Sequence, residues 1–285
     1  MICVVNFANS VYRPQQVACT TSAYCYGKAD NVIEFSEKNL PENFFEVNSE
    51  IMNYKRGFGL WLWKPYIILR AMDKLQDGDI LVYADSGITF IRDIKNLTPI
   101  LDSSKDGMAF FECPLLNEDW TKGEAFNLAG YFPTQNERQI MGNFFILKVS
   151  DKSKDFIAEW YEMCRNEKLI SPKIFDNSIN NGNHFIAHRE DQSLLSILVR
   201  KKKASAYPDP SDYGEFQFQY TNFGRCNYWN KGQRLYPTVI LCNRKISSKK
   251  YKRNYRIKSF MNRCGLYNYG MMNFKRNFRH LFRLS

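Results

Sequence analysis

Residues 57–90, GFGLWLWKPYIILRAMDKLQDGDILVYADSGITF, carry the pattern that most restricts how this 285-residue chain can fold. Pro65 suits the first position of a helix, where its fixed φ helps and its missing N–H costs nothing. Ile68, Met72 and Leu75 then recur on one helical face, and Asp77-Gly78 ends the helix. Ile80, Leu81, Val82 and Tyr83 form an unbroken apolar run, which fits a strand covered on both faces, as in a parallel sheet flanked by helices. That assignment places Asp85, Ser86 and Gly87 at the carboxyl end of a central strand. In open α/β sheets the ligand crevice lies outside those strand ends, so these three residues and Tyr83 beneath them are candidates for binding. Trp63 and Lys64 stand at the helix start, where unpaired N–H groups and the helix dipole favour an anion such as a diphosphate. The plainer alternative makes Asp-Ser-Gly a simple turn and Trp61 and Trp63 core aromatics.

The remaining pattern extends the same sheet. Ile2 to Phe7 reads as a first buried strand, Gln15 to Tyr26 as a helix and Val32 to Phe35 as a second strand, giving a strand–helix–strand rhythm. Residues 36–56 are polar and then helical as far as Lys55-Arg56. Arg56, just before the glycines, is a candidate clamp for a diphosphate or a solvated cation at a helix end. Met108 to Phe111 is a further strand, and residues 114–131 read as a substrate-facing loop. Gly142 and Asn143 lead into FFILKV, a strand ending at Val149, and Ser150-Asp151 cap a helix to about Lys168. Residues 184–192 are polar and open the helix SLLSILVRKK, with Glu190, Asp191 and Gln192 where capping and the helix dipole favour acids. Phe216 to Tyr220 and Thr238 to Leu241 read as late strands.

Charge is unevenly placed. No Asp or Glu follows Glu215, whereas 16 of the 40 Lys and Arg residues do; the first 215 residues hold 24 bases against 29 acids. The chain therefore reads as an acidic domain, residues 1–242, with a basic extension, residues 243–285. Within that extension, residues 271–284 set Met271, Phe274, Phe278, Leu281 and Phe282 on one helical face beside Lys275, Arg276, Arg279 and Arg283. Such a helix suits an anionic membrane surface. The eight cysteines are scattered with no CxxC pair, which argues for reduced thiols in a cytoplasmic setting and against a zinc or disulfide framework. No secretory signal or membrane span is evident. A cytoplasmic protein peripheral to the inner membrane face is the expectation.

The run GxGxWxWKPxxI, followed after a short helix by GDIxVYxDSG, resembles the pattern of bacterial polysaccharide-type glycosyltransferases with the GT-A nucleotide-sugar fold. The wider layout of residues 1–200 is similar to that of the GT8, GT32 and GT34 sugar transferases, where a helix leads into a strand ending in Asp-x-Asp. The resemblance implies an α/β, Rossmann-like nucleotide-diphospho-sugar transferase with a mostly parallel sheet and a basic helical appendage. It also implies a hexose moved from a nucleotide-diphosphate sugar, UDP-linked, to a surface glycan of capsule or O-antigen type on a lipid-linked acceptor. On it, Asp85 holds Mn²⁺ or Mg²⁺, although Gly87 stands where the second acid would be. Asn6 to Ala8, at the end of the first strand and with Phe7 among them, are candidates for uridine contact. The Asp191-Gln192 pair is similar to an element whose acid lies near the reacting sugar, which makes Asp191 the catalytic candidate with Gln192 in support. His188 is a candidate for phosphate or metal, or a structural histidine. Gly142 lets backbone approach the sugar or marks a strand entrance. Two other functions compete. A basic aromatic tail also suits nucleic acid, although the terminal placement of its charge argues against that partner. Gly87 keeps open a sugar-nucleotide-binding protein without turnover.

Overall fold

The two apolar runs marked as buried strands lie side by side at the centre of the sheet. In the computed structural model, β1 (Ile2–Phe7) pairs in parallel with β3 (Ile80–Ala84), Val4 opposite Val82, and on its other side with β2 (Asn31–Phe35). The structure describes all residues except 231, 244–247, 269 and 271–285. The helix expected over 271–284 therefore lies outside the described residues.

Beyond these strands the chain forms β4 (Ile88–Phe90), β5 (Met108–Leu116), β6 (Arg138–Lys148), β7 (Ala206–Pro208) and β8 (Ile240–Cys242). The longer helices are α1 (Arg13–Ser22), α2 (Trp63–Met72), α3 (Gly123–Ala129), α4 (Asp151–Cys164), α5 (Glu190–Lys201) and α6 (Ser248–Arg263). The main sheet has the order β2-β1-β3-β6-β5-β7, with β6 antiparallel to both neighbours and the other pairings parallel. This is the mixed α/β architecture, mostly parallel and flanked by helices, that the apolar runs imply. A small antiparallel pair, β4 with β8, stands apart, Thr89 opposite Leu241.

Alternation along the strands divides the core in two. Leu81, Tyr83, Phe145 and Leu147 face α2, α4 and α5 on one side. Val82, Ala84, Phe144 and Ile146 face α1 and the β4–β8 pair on the other. Both faces are covered, which is why β3 and β6 read as continuous apolar runs rather than as alternating ones.

Several boundaries differ from expectation. β6 begins at Arg138, before Gly142, because Gln139 to Met141 are buried against β5 and α5, where the Ile140 amide donates to Ser196 Oγ at 3.0 Å. Residues 217–222 form a 3₁₀ turn instead of a strand: the Gln217 side chain exchanges hydrogen bonds with Trp229 backbone, and Tyr220 reaches back to Asp209. Pro65 is the third residue of α2, not the first. The described part of the basic extension packs on the domain. Tyr251 of α6 donates to Asp212 at 2.6 Å, and Tyr255 and Ser259 both donate to Glu215 at 2.7 Å.

Before α2 the backbone does something the sequence does not announce. Gly57, Phe58, Gly59, Leu60 and Trp61 all have positive φ, from +52° to +78°, so the chain makes a left-handed helical turn. Glycine accepts such angles at no steric cost, whereas each L-residue loses roughly 1–2 kcal/mol there. Two of the five positions are glycine, and the turn is closed by bonds from Leu60 N to Arg56 O at 2.9 Å and Trp61 N to Gly57 O at 3.2 Å.

Candidate active site

Three elements bring their ends together at the carboxyl edge of the sheet, around a cavity of about 730 Å³. The first is β3. Its last residue is followed by Asp85, whose amide donates to Asn143 O of β6 at 2.9 Å and whose carbonyl accepts from Ile88 N at 2.9 Å. That turn fixes the carboxylate at the cavity floor, where Oδ1 accepts the Tyr83 hydroxyl at 2.7 Å.

The second element is the start of α2. Lys64 is buried, and its ammonium lies 2.6 Å from Asp191 Oδ2, 2.8 Å from the Gly142 carbonyl and 3.6 Å from Asp85 Oδ1, above the Tyr83 ring. This is a different task from the one its sequence position suggests. The N–H groups expected to face an anion are also engaged, Leu62 N with Gly59 O at 3.0 Å and Lys64 N with Trp61 O at 2.9 Å. Pro65 has none to offer. The left-handed turn thus takes up two of the N–H groups at this helix end.

The third element is the start of α5. Asp191 is buried, its backbone carbonyl held by Trp160 Nε1 at 3.1 Å, and burial pushes its carboxyl up from 3.8 to about 6 while the adjacent Lys64 charge holds it down. Glu190, also buried, has φ +39° and pairs with exposed Arg56 at 2.6 Å; its carboxyl too is raised by burial. Gly142 lies where α5 crosses β6. A Cβ there would come within 3.0 Å of Gln192 Cβ and 3.4 Å of Asp191 Oδ2. The glycine thus serves helix-on-strand packing beside the catalytic candidate.

Of the residues singled out in the sequence, Arg56, Lys64, Asp85, Gly87, Gly142, Asn143, Asp191 and Gln192 line one cavity. Gln192 is oriented by its bond to Gln139 at 2.9 Å. Asn143 Nδ2 donates to Cys242 Sγ at 3.6 Å. The other candidates do not line the cavity. Phe7 and Trp63 are buried and stacked on one another at 3.9 Å, with Trp63 Nε1 donating to Gly57 O, so both are core aromatics. Tyr83 sits beneath Asp85 as its hydrogen-bond donor, and Ser86 is in the turn outside the lining. His188 is also away from it. Burial takes its imidazole down to about 3, so it is neutral, and Nδ1 accepts the Lys122 amide.

Sequence reasoning missed Arg189, which lies 3.9 Å over the Trp120 ring, and the further lining residues Tyr213, Tyr220, Phe223, Cys242, Asn243 and Tyr251. The late aromatics carried a signal, but the strand reading of residues 216–220 hid which way they would turn.

For a divalent ion the residues offer one anchoring acid. Among the described residues no three His, Cys, Asp or Glu side chains converge on a point. Asp85 would hold the ion and phosphate oxygens and water would complete its shell, an arrangement Mg²⁺ accepts. The Lys64 ammonium competes for the same carboxylate. The charged lining balances, Arg56, Lys64 and Arg189 against Asp85, Glu190 and Asp191, so an incoming diphosphate would find no surplus positive charge. Neutralising it is what a bound ion would supply.

No protein-family model matches the chain, and no curated protein matches it. Among solved structures, the apo form of mouse xyloside xylosyltransferase 1 is similar at a TM-score of 0.49 and 9% identity, over 87% of this chain and 100% of that one. A likeness that slight carries no weight for activity.

Proposed function

We propose that the chain is a glycosyltransferase moving a hexose from a nucleotide-diphosphate sugar, UDP-linked, to a glycan acceptor. The observation that carries this reading is the single buried ammonium of Lys64 joining an acid at the end of a central parallel strand, Asp85, to an acid opening a helix, Asp191. Two carboxylates of different environment around one cavity suit two tasks. Asp85, beside the β1–β3 crevice, serves the diphosphate side with Mn²⁺ or Mg²⁺ as companion. Asp191 takes the proton of the attacking acceptor hydroxyl while the bond from the anomeric carbon to the diphosphate oxygen breaks and the new glycosidic bond forms. The leaving pair of electrons stays on the diphosphate. Lys64 keeps Asp191 ionised near neutral pH, the state a base requires.

The acceptor in this reading is a capsule- or O-antigen-type glycan on a lipid carrier, met at the inner membrane face. Its support is α6, which exposes Lys249, Arg253, Arg256 and Arg263 beside Ile257 and Phe260. No helix among the described residues is long and apolar enough to cross a membrane. The test of the transfer reading is hydrolysis of UDP-, GDP- and CMP-sugars with added Mn²⁺, in wild type and Asp85→Ala. One donor should be cleaved by wild type and not by a folded Asp85→Ala. Undiminished turnover in that variant sinks the proposal.

A further inference from the structure

The cavity has two unlike sides. One is charged and carries Lys64, Asp85 and Asp191; the other is aromatic and carries Tyr213, Tyr220, Phe223 and Tyr251. The aromatic side is less polar than its tyrosine content suggests. Tyr220 donates its hydroxyl to Asp209 at 2.9 Å and Tyr251 donates its own to Asp212 at 2.6 Å, both carboxylates being buried. With those two hydroxyls tied back into the protein, Tyr220 and Tyr251 offer ring towards the cavity, as Phe223 does. Tyr213 and Tyr220 lie 5.5 Å apart, and Tyr220 and Phe223 6.3 Å, so these three rings make one continuous surface. Phe223, at its end, is 45% exposed.

We propose that this wall is the subsite for a neutral pyranose ring of the acceptor glycan, an inference that rests on the transfer reading above. Aromatic faces carry partial negative charge and attract polarised C–H groups, which a sugar ring presents on one face. A phosphate or carboxylate placed there would lose hydration against rings, and the nearby Arg189 guanidinium already lies over the Trp120 ring. A nucleobase could stack on the same rings, and placement argues against it. The sheet reverses its strand order between β1 and β3, and that switch point is where open α/β sheets receive nucleotides. Tyr220 and Phe223 lie on the other side of Asp85, beside β5, where Leu115 bridges Cys226. Donor on the β1–β3 side and acceptor on the β5 side put the reacting atoms between them, beside Asp191.

The full chain can be tested by saturation-transfer NMR with a panel of neutral methyl hexopyranosides in the presence of UDP and Mg²⁺, and by calorimetry with UDP alone and with Mg²⁺. Phe223→Leu keeps the apolar volume at an exposed position and loses the ring; Phe223→Trp restores one. At least one glycoside should receive saturation on its ring C–H protons in wild type. Phe223→Leu should weaken it about tenfold, the fold-change that loss of one aromatic contact implies, and Phe223→Trp should stay within about threefold of wild type. UDP affinity should not move. The proposal is overturned if Phe223→Leu weakens UDP instead, if neither ligand responds, or if wild type binds no glycoside. Failure of the transfer reading looks different: glycoside bound through Phe223 by a protein that takes up no nucleotide diphosphate.

Discussion

Replacing Asp191 by asparagine should remove activity and leave the fold at least as stable, with a pH dependence that reports the buried charge. Burial raises the carboxyl from 3.8 to about 6, and that value already includes the favourable Lys64 contact. Below pH 4 the group is protonated in both folded and unfolded chains and contributes no difference. Between about 4 and 6 the unfolded chain ionises first, so wild type loses stability as pH rises, and above about 6 the full loss is present. Two pH units correspond to about 3 kcal/mol, or roughly 6 °C in a chain of this size. The substituted amide does not ionise, so Asp191→Asn should gain on wild type between pH 4 and 6 and keep an advantage of up to that size at pH 8. Loss of the carboxylate partner of the buried Lys64 ammonium would reduce it. Over the same range, sugar transfer should fall by about 10²- to 10⁴-fold, the usual contribution of a positioned base. Differential scanning fluorimetry from pH 4 to 8 and a donor-consumption assay measure the two. A variant less stable than wild type by the same margin at every pH would refute the reasoning, since ionisation of Asp191 would then make no difference to stability and the side chain would be scaffold.

Lys64→Met removes the cation that holds Asp191 down, so the acidic limb of the kcat/KM profile, expected near 6 in wild type, should move to higher pH; an unmoved limb would show that another group titrates. Gly142→Ala drives a Cβ towards Gln192 and Asp191 and should lower stability by about 1–3 kcal/mol, read as a drop in Tm, with activity falling further than stability explains. Combined reversal of Lys249, Arg253 and Arg256 to Glu should abolish co-sedimentation with vesicles containing phosphatidylserine while leaving hydrolysis of a soluble donor unchanged. Retention on RNA that exceeds retention on vesicles and is lost in the same variant would favour a nucleic-acid partner instead.

Much of the architecture was legible because it depends on local pattern. An unbroken apolar run such as ILVY can be accommodated by few arrangements other than a strand covered on both faces, and with that strand placed Asp85 falls at its carboxyl end. Asp191 and Gln192 were legible as the opening of an apolar helix. What could not be read was which side chains meet. Lys64 stands beside an expected anion site in sequence, yet its ammonium reaches residues 127 positions further along the chain, at Asp191. Trp63 read equally as a ligand candidate or a core aromatic and Phe7 as a ligand candidate, and their mutual stacking decides for the core. The aromatic wall was hidden for another reason: Phe216 to Tyr220 have strand-like composition, but a tie between Tyr220 and Asp209 curls them into a 3₁₀ turn.

Strain at two places explains how the sheet's acid acquires its partners. The left-handed turn at 57–61 leads directly into α2 and so into Lys64, and Glu190, at φ +39°, is the residue before Asp191. Arg56 and Glu190, one at the edge of each strained segment, are joined at 2.6 Å. Phe58, Leu60, Trp61 and Glu190 together represent a cost of several kcal/mol, at roughly 1–2 kcal/mol for each left-handed L-residue. Relaxed backbone at either place would aim the following side chain differently, and Lys64 and Asp191 would no longer meet above Asp85. Strained backbone persists where the surroundings over-determine it, and here the Arg56–Glu190 pair, the Trp63–Gly57 bond and the Trp160–Asp191 bond do so. A site held this way is set before any ligand arrives, as preorganised charge stabilisation requires.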